Sequence, residues 1–166
     1  MTTSTGSDAV MEPVRIYVPG TPSLLRGWRE TGQVEVAEAH AVTRALAAAL
    51  DGADEEELAW SALTTAAQAS LALPADDGRR FVLVVDARGA AAADDAEDPT
   101  RVRLEFPAAW KRAAAIHADL PDAARAVTAA REAYAAGSPD AERLAEACLD
   151  HELGWFGVQE LDDLLG

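Results

Sequence analysis

Phe81-Val82-Leu83-Val84-Val85-Asp86 is a run of five apolar residues ended by an acid. Its β-branched and aromatic content, together with its length, marks a strand rather than a helix. A strand with one wet face alternates polar and apolar residues. This one does not, so it predicts a central strand covered on both faces. Such a strand needs helices packed over it and other strands beside it.

The flanking sequence supplies both. Val14-Arg15-Ile16-Tyr17-Val18 reads as a strand closed by Pro19-Gly20. Thr21-Pro22 then opens a helix, with Thr as cap and Pro at the first position. Leu24, Leu25 and Trp28 form its inner face, and Gly32 ends it. Ala39-His40-Ala41-Val42 reads as a second strand running into a Thr43 cap and a short helix through Leu50. Asp54 and Glu57 form a capping box for a helix reaching about Leu73, apolar on most sides and expected to be largely buried.

Downstream of the central strand, 89–99 is alanine- and aspartate-rich and reads as a mobile acidic loop. Val102-Arg103-Leu104-Glu105-Phe106 alternates and reads as a half-exposed strand. The stretch 108–118 is open to two readings. Alanine favours helix; the reading adopted is a strand near Ala113–Ala118, with Ile116 inward and His117 on the other face. Pro121 to Ala136 reads as a helix stopped by Gly137. Ser138 then caps a long last helix running to Leu161.

The order β-α-β-α-α-β-β-β-α-α predicts a single α/β domain over 14–166. Early βα alternation favours parallel pairing and later short connections favour hairpins, so the expected sheet is mixed, with about five strands. Residues 1–13 are polar and aperiodic and read as a disordered tail, with Met11 as a second candidate start.

Composition bounds the function. The chain has 166 residues, enough for one domain with a sizeable core. Its net charge of −15 argues against a nucleic-acid backbone or an anionic membrane as partner, since both call for clustered Lys and Arg. Arg79-Arg80 is only a pair, beside Asp76-Asp77. The single cysteine, Cys148, has no partner for an internal disulfide and reads as a buried structural thiol. No apolar run approaches a membrane span, and no basic-then-apolar leader is visible. A cytoplasmic protein is expected.

No phosphate-binding Gly-rich loop, dinucleotide fingerprint, Gly-x-Ser-x-Gly elbow or paired-Cys metal motif is present. Candidate chemistry rests on one constellation: His117, Asp119, His151 and Glu152, with His40 as a further member. Histidine and carboxylate are the groups of proton transfer and of divalent metal binding. On a 138–161 helix, Glu152 falls within the apolar stripe, where a carboxylate requires a partner or a cavity. His151 would point about 100° away from it, so the two would not readily share one ligand. The plainer reading makes Glu152 a buried anchor, bonded to Arg15, Tyr17 or Thr65. Trp155-Phe156, on the same stripe, reads as core, or as a partner patch if uncovered.

Several segments together resemble an uncharacterised family of small actinobacterial proteins, a domain of unknown function. They are Arg15-Ile16-Tyr17-Val18-Pro19, Ala39-His40-Ala41-Val42-Thr43, Glu56-Glu57-Leu58 with Ala62-Leu63, the strand from Phe81, and Ile116-His117-Ala118-Asp119. His151-Glu152-Leu153, Trp155-Phe156 and Gln159-Glu160-Leu161 complete the set. Gly154 stands where a larger residue is expected. The resemblance spans nearly all of the chain after the tail and implies one domain with no assigned activity. The expected function is a non-catalytic domain binding a protein or small molecule, as monomer or homodimer and without a cofactor. The alternative is a small hydrolase or metal-dependent enzyme built on His117, Asp119, His151 and Glu152.

Overall fold

A computed structural model describes residues 12–75 and 77–166. The tail expected over 1–13 therefore lies outside the described residues, apart from exposed Glu12 and Pro13. The strands are β1 (Val14–Gly20), β2 (Gln33–Val34), β3 (Glu38–Ala41), β4 (Phe81–Ala87), β5 (Ala90–Ala92), β6 (Arg101–Leu104), β7 (Ala108–Ala109), β8 (Ala113–Asp119) and β9 (Leu153–Phe156). The helices are α1 (Pro22–Thr31), α2 (Arg44–Ala49), α3 (Glu55–Ser70), α4 (Ala124–Ala135), α5 (Ala141–Ala147) and α6 (Leu161–Leu165).

The domain is α/β, but its main sheet has seven strands, in the order β5-β6-β3-β1-β4-β8-β9. Every pairing is antiparallel, which corrects the expected mixed sheet of about five. The βα alternation misleads because α1 does not lead straight into the next sheet strand. Gly32, at φ +78, ends the helix, and β2 then makes an extra extended pass, paired with β7 in a separate two-stranded ribbon. After that pass β3 runs opposite to β1, with Tyr17 opposite His40.

The central strand is covered on both faces. Phe81, Leu83 and Val85 point to one side, with Ile16, Val18 and Ile116, beneath Leu25 and Trp28 of α1 and Leu161 of α6. Val82 and Val84 point to the other side, with Tyr17 and Ala115, beneath Ala62, Ala66 and Ala67 of α3. Those alanines are fully buried and let the helix approach the sheet closely. Inserting larger side chains there would cost about 1–3 kcal/mol in overpacking. The Asp54–Glu57 capping box is formed as expected. However, α3 is buried on one face only, since Trp60 is 55% exposed. A third cluster joins Leu71 to Val127 and Ala130 of α4 and to Ala145 and Cys148.

Two sequence readings give way to tertiary context. The stretch expected to be an acidic loop contains β5, which pairs with β6. More consequentially, the expected 138–161 helix covers only Ala141–Ala147. A 3-10 turn at Cys148–Asp150 follows, then β9, then a 3-10 turn at Val158–Glu160 leading into α6. Gly154 weakens a helix, the aromatic pair Trp155-Phe156 favours extended backbone, and the open edge of β8 provides the pairing. The strand reading of Ala113–Ala118 agrees with β8.

Candidate functional site

Antiparallel register lines up side chains across the sheet. Trp155, His117 and Val82 stand opposite one another on β9, β8 and β4, on the face that α3 covers. One step along, Leu153 stands opposite Asp119, and Asp119 is bonded to Arg80 at the mouth of β4. Helix α3 reaches over β4 and meets β9 only at partly buried Leu153, leaving Trp155 exposed. The gap is a cleft of about 200 Å³ lined by Trp60, Leu63, Thr64, Ala67, Arg80, His117, Leu149, His151, Glu152 and Leu153.

The floor is set by a buried ion pair. Arg80 is 1% exposed and Asp119 3%. The Arg80 Nε–H donates to Asp119 Oδ2 at 3.0 Å, its Nη2–H to Oδ1 at 2.7 Å, and its main-chain N–H to Oδ2 at 2.7 Å. Arg80 also donates from Nη1 to Gln68 Oε1 at 2.8 Å and from Nη2 to the His151 carbonyl at 3.0 Å. One guanidinium thus ties α3, β8 and the segment entering β9 together, and so fixes three sides of the cleft. Sequence reading took Arg79-Arg80 only as a pair beside Asp76-Asp77, with no role for Arg80. No local sequence signal marks it; the register does, since Phe81 opposite Ala118 puts Arg80 beside Asp119.

The sequence-predicted residues separate into different roles. His117 lies on the floor, and burial holds its imidazole below the ordinary value of 6.5. It is therefore neutral at pH 7, a hydrogen-bonding group in largely apolar surroundings. His151 lines the wall, with Nδ1 3.3 Å from Asp122 Oδ2. Glu152 lines the rim but is exposed, which corrects its expected place as a buried anchor. Its proposed partners are engaged elsewhere: Arg15 pairs with Asp86 at 3.0 Å, and Thr65 donates to the Ser61 carbonyl at 2.8 Å. Asp119 does not line this cleft; it borders a separate cavity with Leu120 and Thr128. Its carboxylate is saturated by Arg80, so the anchoring role foreseen for Glu152 belongs to Asp119.

His40 is remote, on β3, three strands from β8. The Thr100 hydroxyl donates to Asp98 Oδ1 at 2.6 Å, so its oxygen accepts from His40 Nδ1 at 2.8 Å. Burial lowers the His40 pKa, and the nearby Asp98 carboxylate opposes that shift. This network fastens the 93–100 segment to β3. Among the described residues, no group of three or more His, Cys, Asp or Glu side chains is placed to hold a metal ion.

From sequence, Trp155 reads as core, or as a partner patch if uncovered, and the exposure of Trp60 and Leu149 was not foreseen. Trp155 is 64% exposed, Leu149 42% and Trp60 55%, and all three lie at the cleft or on the adjoining strand. Trp60 also borders a larger, more open groove of about 790 Å³, with Asp51, Asp54, Glu56 and Glu57. That groove is lined by the 50–53 loop and the first two turns of α3, and its size reflects open surface rather than enclosure.

A family of unknown function, DUF6912, matches residues 14–165, and the chain belongs to it. No curated protein matches the chain. No solved structure matches it either. No helix among the described residues is long and apolar enough to cross a membrane.

Proposed function

We propose that the protein is a non-catalytic binding domain of the cytoplasm, whose site is the cleft between α3 and β8–β9 and whose ligand is a segment of a partner protein. The observation that carries this reading is the gathering of Trp60, Leu149 and Trp155 around one cleft, on a surface that is otherwise acidic. Large exposed aromatics set beside a concave apolar site are the usual anchors of protein recognition. His117 adds one neutral polar group at the floor to orient what enters. The acidity that keeps nucleic acid away also favours a basic partner.

An enzymatic reading has less support. His117, His151 and Glu152 share the cleft, but Asp119 is locked against Arg80 and His151 is turned toward Asp122. Among the described residues lining the cleft, no side chain stands as an activated nucleophile beside a base. Selection from a displayed library of random ten-residue peptides tests the binding reading. Peptides should enrich on the full chain and lose binding to Trp60→Ala and Trp155→Ala variants that remain folded. Enrichment that ignores both substitutions would refute this site.

A further inference from the structure

The geometry points to a specific mode of capture: an extended, basic segment of another protein adds to the outer edge of β9 as an eighth strand. This inference rests on the cleft reading and deepens it.

The main chain carries the first part. Strand β9 is the last in the sheet order. Asp119 N–H donates to the Arg80 carbonyl at 3.2 Å, so Asp119 and His117 turn their main-chain groups toward β4. Antiparallel strands alternate, so Ile116 and Ala118 turn theirs toward β9, where Phe156 and Gly154 receive them. The N–H and C=O groups of Leu153 and Trp155 therefore face outward. No described main-chain bond outside the sheet ladders takes them up. The side chains of the same two residues lie on the α3 face, beside His117. An added strand would bond to this edge and set alternate side chains against Trp155 and the cleft mouth.

Proteins usually blunt such an edge with Lys, Pro or a bulge. Leu153-Gly154-Trp155-Phe156 has none of these. The opposite edge, β5, is three alanines followed by Ala93, Asp94 and Asp95.

Charge and area choose the occupant. Asp150 and Glu152, just before β9, are exposed, and no ion pair among the described residues includes either one. Asp51, Asp54, Glu56 and Glu57 lie on the far side of Trp60. The complement of this surface is a segment rich in Lys and Arg. A second copy would bring another net charge of −15. A four-residue edge with one tryptophan also falls short of the roughly 800 Å² per partner of a standard stable interface.

The test uses the peptides enriched on the full chain, resynthesised with N-methyl groups at alternate residues in two complementary series. One series blocks the N–H groups facing β9; the other blocks those facing solvent. The enriched peptides should carry net positive charge, and their affinity should fall as salt is raised from about 50 to 500 mM. One series should lose at least about tenfold in affinity and the other little, since only one set of N–H groups meets β9. Equal tolerance of both series, with Trp155→Ala still abolishing binding, would overturn strand addition and leave the cleft reading standing. Failure to enrich any peptide would overturn both. A concentration-dependent dimer lost in Trp155→Ala would overturn the basic partner in favour of a second copy.

Discussion

The Arg80–Asp119 pair is buried and multiply hydrogen-bonded, and Asp119→Asn is the perturbation that reads it. The substitution keeps the side chain's size and removes its charge. Arg80 would then sit 1% exposed with no carboxylate within reach of Nε and Nη2. Breaking one side of a buried pair costs about 3–5 kcal/mol, because a charge is left uncompensated. Asparagine still accepts one hydrogen bond, so the lower end, about 3 kcal/mol, is expected. For a domain of this size each kcal/mol moves the melting temperature by about 2–4 °C, so a fall near 10 °C follows. Urea unfolding should show a lower midpoint with an unchanged slope. Removing both charges in an Arg80→Met/Asp119→Leu variant should cost less than Asp119→Asn alone. Its main penalty is the loss of partners for the part-buried Gln68 and His151 carbonyl and for the buried main-chain N–H of residue 80, together about 2 kcal/mol. A loss below about 1 kcal/mol for Asp119→Asn, or a double variant as costly as both single changes added together, would refute the anchoring role.

Other consequences are more local. Glu152→Gln should leave stability within about 0.5 kcal/mol, since the carboxylate is exposed and unbonded; a clear drop in urea midpoint would restore the buried-anchor reading. Gly89→Ala should cost about 1–2 kcal/mol, because φ is +78 and the new Cβ would lie 2.7 Å from the Phe106 ring. Full stability of that variant would contradict the placement of Phe106. Both His117 and His40 have pKa values lowered by burial, so the unfolded chain binds protons more readily than the folded one. Stability should therefore be complete above about pH 6.5 and decline as pH falls below it. His117→Gln should flatten that decline between pH 7.5 and 5.5, and an unaltered slope would show that His117 is not desolvated.

The parts legible in sequence were those governed by local rules. The Thr21, Thr43 and Asp54 caps open helices where expected, and the unalternating Phe81–Val85 run is the doubly covered strand. Strand direction was not legible. It turns on the two-residue β2, whose partner β7 lies far along the chain. The last helix misread for a related reason. Ser138 to Leu161 has helical periodicity, yet Gly154-Trp155-Phe156 finds an open edge on β8, and that pairing outweighs weak propensity. Once β9 forms, Glu152 moves from a supposed core stripe to the rim and Trp155 from core to surface. His117, His151 and Glu152 do meet at one cleft, though through a strand rather than a helix face. Asp119 was named as a candidate catalytic or metal-site residue; its ion pair with its register partner Arg80 is what gives it an anchoring place in the structure.

The most direct test of the binding site is the indole N–H region of the NMR spectrum during titration with an enriched basic peptide. The chain has four tryptophans, so the signals are few and assignable by substitution. Trp60 and Trp155 should shift together along one binding curve, while Trp28, 5% exposed on the inner face of α1, holds still. Shifts confined to other residues, with Trp60 and Trp155 unmoved at saturation, would place the ligand elsewhere and contradict the account.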